Sequence, residues 1–221
     1  AYFNAGDIDA AIDGYQRVLL RYPTSPFVSD AAAGIQYALM ATGQDDRADT
    51  IVDSLAAALA GTPAAEQLIF RQAEAKYQSG RSEDAKADLM EFVESATDPR
   101  LLADAHYFLA EIFQAEGNTD LAAQYFDILV SRFADSARFG DSAESLGHIY
   151  LEAGRLEDAL QLFENMEAGL ASSEEAVTRA RYGQSLALIQ LGRTEEAESR
   201  LRASIIDGSV TTSTLPAYLG L

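Results

Sequence analysis

The chain has 221 residues, 48% hydrophobic and 23% charged, enough for one or two packed domains and too apolar for wholesale disorder. Asp and Glu outnumber Lys and Arg by 35 to 16, giving a net charge of −19, which argues against nucleic acid or an anionic membrane as partner because each is itself negative. Cysteine is absent, which excludes disulfides, thiolate metal sites and a cysteine nucleophile, and no apolar run approaches the ~20 residues that direct insertion across a bilayer needs.

In chain order, the predicted elements come in pairs. Tyr2 lies four residues before Gly6, so the chain opens inside a first helix that ends at Gly6; Ala11, Tyr15 and Val18 mark a second helix after it. The second pair has Gln36 and Leu39 before Gly43, then Ala48, Val52 and Leu55. The third has Ala73 and Lys76 before Gly80, then Ala85, Leu89 and Phe92. The fourth has Ala110 and Phe113 before Gly117, then Ala122, Phe126 and Leu129. The fifth has Gly147 and Tyr150 before Gly154, then Ala159, Phe163 and Met166. The sixth has Ser185 and Leu188 before Gly192, then Ala197, Leu201 and Ser204. The glycines are spaced by 37, 37, 37, 37 and 38 residues. Positions −7, −4 and 0 from each glycine share one face of a helix, and +5, +9 and +12 share one face of the next. The glycine ends the first helix in the left-handed conformation, and the alanine at +5 sits where two helices approach closely.

This pattern resembles the tetratricopeptide repeat: small at −7, aromatic or Leu at −4, Gly at 0, Ala at +5, large apolar at +9. The resemblance covers the whole chain and implies an all-α fold, an α-solenoid wound as a right-handed superhelix of about six antiparallel helix pairs. The family's first-helix tryptophan is missing; Ile69, His106, Ala143 and Arg181 stand in its place. Lys76 replaces an apolar residue, with Tyr77 beside it, and Ser204 replaces a core residue, so the third and sixth repeats are expected to pack less tightly. The period exceeds the commoner ~34 residues, and the extra residues are expected in the second helix or the loop after it. Two such loops, Arg21–Pro26 and Arg132–Ser136, resemble those of bacterial cell-envelope repeat proteins, which implies a periplasmic or cell-envelope location slightly ahead of a cytoplasmic one; a generic loop with helix-start chemistry reads equally well. In the first, Ser25 is expected as an N-cap and Pro26 in the first helical turn. Arginine supplies nearly all the positive charge, with Lys76 and Lys86 as the two lysines; adaptation to high salt and a GC-rich genome both account for this. Both ends read as cut mid-repeat, Pro216–Leu221 resembling the start of a seventh unit. A fragment of a longer array, with end-to-end self-association, is the expectation.

No catalytic residues, cofactor or metal site emerge. His106 and His148 are 42 residues apart and in different registers. The pairs Asp45–Asp46, Glu83–Asp84, Glu157–Asp158, Glu174–Glu175 and Glu195–Glu196 are adjacent in sequence, so they do not face each other; most belong at helix starts. Gly117–Asp120 reads as an inter-helix turn with N-cap residues. The resemblance implies a concave groove lined at −10, −6 and −3: Ala33, Tyr37, Met40; Phe70, Glu74, Tyr77; Tyr107, Glu111, Gln114; Glu144, His148, Leu151; Tyr182, Leu186, Ile189. Some of these aromatics could equally be core. The row is rich in aromatics and poor in cations, apart from the nearby Arg71 and Arg179, so the expected partner is a neutral to basic protein or peptide segment with apolar anchors. The expected role is a non-catalytic interaction scaffold; the alternative is a structural spacer or self-association module of a larger protein.

Overall fold

The computed structural model describes residues 6–40 and 43–206. Among them are eleven helices and no strands: α1 (Ile8–Arg21), α2 (Val28–Met40), α3 (Asp45–Ala58), α4 (Pro63–Gln78), α5 (Ser82–Ser95), α6 (Pro99–Ala115), α7 (Thr119–Arg132), α8 (Phe139–Glu152), α9 (Leu156–Gly169), α10 (Glu174–Gln190) and α11 (Thr194–Ile206). The fold is an α-solenoid of helix pairs. Tyr2, the Met40, Asp45, Asp46 and Ser204 side chains and everything after Ile206, including Pro216–Leu221, lie outside the described residues. The chain divides into two compact units, Ala1–Ile112 and Phe113–Leu221.

All six repeat glycines have positive φ, between 66° and 84°. Nothing lies within 4 Å of where a Cβ would stand at any of them, so the backbone conformation alone requires glycine there. Five of these turns are closed by the amide of the residue after the glycine donating to the carbonyl four before the glycine: Gln44 to Leu39, Arg81 to Lys76, Asn118 to Phe113, Arg155 to Tyr150 and Arg193 to Leu188, at 2.8–3.0 Å. The −4 carbonyl does this work whatever its side chain is, which is why Lys76 is tolerated. Its ammonium reaches Asp88 of α5 at 2.6 Å while the side chain is only 12% exposed. The third repeat is therefore pinned by an ion pair, with Tyr77 packed on Phe108 at 5.2 Å between ring centroids.

The alanines at +5 are all buried, and so are Val52, Leu89, Phe126 and Phe163 at +9. Phe163 lies in a slot made by absent side chains: a Cβ at Gly147 of α8 or at Gly183 of α10 would stand 2.4 Å from its ring. Buried glutamines cross-link the layers. Gln72 of α4 donates to Asp49 and Asp53 of α3, each at 3.2 Å. In the second unit Gln184 of α10 donates to the Phe163 carbonyl and to Glu167 of α9, and accepts from Arg200 of α11 at 2.6 Å.

The extra residues of the long period are not in the second helices, since α1, α3, α5, α7 and α9 are each 14 residues long. Two repeats place them in the long junctions 22–27 and 133–138. The others place them in longer first helices, of 16 residues in α4 and 17 in α6 and α10. There, caps and prolines start the helix early: Thr62 accepts from Ala65 and precedes Pro63, Ser173 accepts from Ala176, and α6 begins at Pro99. Ser25 is not an N-cap, because α2 starts only at Val28; its hydroxyl accepts from the Phe27 amide, and Pro26 lies in the turn before the helix. Asn118 does cap its helix, accepting from Leu121.

Candidate partner-binding groove

In the first unit, α2 and α4 enclose a hollow of about 380 Å³ lined by Ala33, Gln36, Tyr37, Arg71, Glu74, Ala75 and Gln78. Three predicted groove residues, Ala33, Tyr37 and Glu74, thus come together. Tyr37 is 64% exposed, a large aromatic surface held in water. Glu74 pairs with Arg71 one turn earlier on α4, so the cation beside the groove is already neutralised. On the next pair, Tyr77 and Tyr107 flank Phe108, the latter edge-on at 5.9 Å, and both tyrosines are half-buried, as is Glu111. Burial, and then the charge of Glu111, hold the Tyr77 hydroxyl above its usual value of 10.0, so it remains a donor.

Phe70 does not belong to this surface. It is 1% exposed, with its ring 5.8 Å from Phe92 and 6.1 Å from Phe108, so it fills the seam between α4, α5 and α6. Leu151 is likewise buried. In the second unit Gln114 is exposed, and Glu144 pairs with Arg179 at 2.6 Å. His148 meets Phe163 edge-on at 6.0 Å, and Tyr182 is half-buried. Leu186 is half-buried and Ile189 is 43% exposed. Met40 lies outside the described side chains.

The remaining polar candidates have structural roles. His106 occupies the missing tryptophan's place, is 8% exposed, and donates from Nδ1 to the Leu102 carbonyl at 2.7 Å. Arg181 pairs with Glu167. Glu83–Asp84, Glu157–Asp158, Glu174–Glu175 and Glu195–Glu196 occupy the first turns of their helices, where the helix dipole favours negative charge. Among the described residues no three His, Asp or Glu side chains gather as a metal-binding group, and no helix is long and apolar enough to cross a membrane. Sequence reasoning passed over Gln36, whose buried amide forms part of the hollow's lining. The available signal was a long polar side chain at −7, where the other repeats mostly have small residues.

The tetratricopeptide repeat-like domain matches residues 28–186, and a tetratricopeptide repeat matches residues 1–25. Comparison with the curated proteins finds no match. Among solved structures the chain is similar to BtubC (BKLC) from P. vanneervenii, with 13% identity over 92% of this chain and 91% of that one, TM-score 0.65. It is similar to YrrB, with 14% identity over 92% and 96%, TM-score 0.60, and to MamA, with 18% identity over 80% and 90%, TM-score 0.56. At these identities the likeness is one of fold. The family match covers well over half the chain, the glycine turns and buried alanines agree with it, and the chain therefore belongs to the tetratricopeptide repeat-like family, whose helix pairs generally serve as non-catalytic scaffolds for protein–protein interaction.

Proposed function

We propose that this chain holds a neutral to basic segment of a partner protein against the exposed faces of its first helices. The observation that carries this reading is the hollow between α2 and α4, where Tyr37 stands 64% exposed beside the Arg71–Glu74 pair. Tyrosine offers contact area and a hydroxyl at low entropic cost, and the paired arginine leaves the face without an advantage for acidic ligands. The net charge of −19 favours encounter with basic segments. YrrB, similar in fold, is described as a repeat protein with an unusual peptide-binding site, which supports a peptide ligand here. The test is affinity capture from a lysate of the source cells, comparing the intact chain with its Tyr37→Ala variant, in which the exposed ring at the hollow is removed. A specific partner lost in the variant is the expected result; equal recovery by both would move the function to another face.

A further inference from the structure

Arg71 is the shared wall of two hollows in the first unit. One is the α2–α4 hollow just described. The other, about 620 Å³, opens at the edge where the α1–α2 junction, the start of α4 and the α5–α6 junction meet, with Pro23, Pro26, Ser29, Pro63, Gln67 and Asp98 in its lining. Arg71 donates through Nη1 to Glu74 of α4 and through Nη2 to Ser29 of α2. Three buried side-chain atoms that find no partner among the described residues belong to residues lining these hollows: Gln36 Nε2, Arg71 Nε and Gln67 Oε1. Gln36 is only 6% exposed, at a position where the next two repeats carry Ala73 and Ala110.

Resting on the proposed function, we infer that one extended segment of the partner leaves the helical face, passes over Arg71 and continues into the edge hollow, held there by its main chain. An extended chain presents an N–H and a C=O at every non-proline residue. Gln36 Nε2 and Arg71 Nε are donors and Gln67 Oε1 an acceptor, each on a residue of the hollow walls, and a side-chain rotation on binding brings them to the segment; Gln67 and Arg71 are one helical turn apart. Burying such groups unpaired costs free energy that a bound backbone returns. The segment is neutral or basic, because Arg71 and Arg100 are already paired with Glu74 and Asp98. The edge also carries side chains that its turn does not need. The junction 133–138 repeats the same backbone bonds, Ser136 to Phe133 and Phe139 to Ser136, as Ser25 to Tyr22 and Val28 to Ser25, within 0.1 Å. Yet it has Ala134, Ala137 and Arg138 where the first junction has Pro23, Pro26 and Phe27. Phe27 is 64% exposed where the other junction has Arg138, so turn formation does not account for it.

The test begins by selecting binders from a displayed library of random peptides against the intact chain. The selected peptide is then titrated against the near-isosteric Gln67→Leu and Gln36→Leu variants and against Tyr37→Ala. The two glutamine variants each delete an unpartnered polar atom, so the melting temperature is expected to hold or rise. Affinity is expected to fall about tenfold in each, the equivalent of one lost hydrogen bond. Converting the peptide's central amides to esters should weaken binding to the unmodified chain and have less effect on the variants. Binding lost with Tyr37→Ala but unchanged in Gln67→Leu would overturn the edge route and leave the groove reading standing. Failure of any peptide to bind would overturn both. A clear fall in melting temperature in both glutamine variants would make these side chains structural and overturn the inference.

Discussion

Replacing Gly183 by alanine should destabilise the protein, against the general rule for helices. Gly183 lies inside α10, where exchanging glycine for alanine ordinarily gains about 1 kcal/mol. Here the new methyl would stand 2.4, 2.4 and 2.6 Å from three atoms of the Phe163 ring. That ring is 0% exposed, and its tip already presses on Gly147, where a Cβ would also lie at 2.4 Å, so it has little room to move away. Overpacking of this kind costs about 1–3 kcal/mol. The net expectation is a loss of up to about 2 kcal/mol, or up to roughly 8 °C in melting temperature for a chain of this size. Gly14→Ala in α1 is the control: nothing lies within 4 Å of its Cβ position, so it should gain up to about 1 kcal/mol. The assay is urea and thermal unfolding followed by circular dichroism, fitted as two transitions because the chain forms two compact units. Combining Gly183→Ala with Phe163→Leu should make the alanine nearly harmless, a coupling visible in a double-mutant cycle. Gly183→Ala at or above the stability of the parent would refute the argument.

Two further perturbations test the polar links between helix layers. Gln184→Leu keeps the volume but leaves the Phe163 carbonyl without its side-chain donor and Glu167 with one fewer; unfolding in urea should show a loss of about 1–3 kcal/mol, and a loss under about 0.5 kcal/mol would mean the cross-link is dispensable. Acid should unfold the protein through specific carboxylates. Burial works to raise the Asp49 carboxyl, but hydrogen bonds from Arg81 and Gln72 outweigh it and hold the group below 3.8; at Glu167, Gln184 and Arg181 outweigh burial and hold the group below 4.5. Both are depressed in the folded state, so their stabilisation is complete above the unfolded values and is lost as pH falls through the lower folded ones. The melting temperature should drop as pH falls below about 4, and Asp49→Asn should flatten that slope; a slope identical in the variant would remove Asp49 from the explanation.

The fold was legible because its signals are local. A glycine turn, a +5 alanine and helix spacing depend on neighbours in sequence, and the structure places every repeat glycine at positive φ and every +5 alanine in the core. Side-chain exposure along the first helices was harder to read. Tyr37 and Phe70 are both aromatic at groove positions, yet one is 64% and the other 1% exposed, because Phe92 and Phe108 from neighbouring helices close over Phe70. Periodicity gives the face of a helix, not which neighbour covers it. Helix starts were misjudged at Ser25 for a related reason: its hydroxyl satisfies a turn amide before the helix begins. Lys76 shows the reverse. A residue that looked like a packing defect is supported by Asp88, twelve positions further on, which no local pattern announces.

The junctions between pairs carry a slower rhythm than the glycines. The junction at 22–27 is long and 59–62 short and hydroxyl-capped; 96–98 is shortest; then 133–138 is long again and 170–173 short and hydroxyl-capped. The first two junctions each have a counterpart three repeats later, so the described junctions follow a three-repeat order, with the 37-residue repeat nested inside it. Shortening or extending this protein is therefore a matter of block arithmetic. Removing a whole block leaves each remaining first helix with the junction length it was built to follow. Removing a single repeat would bring a different junction into the three-step order.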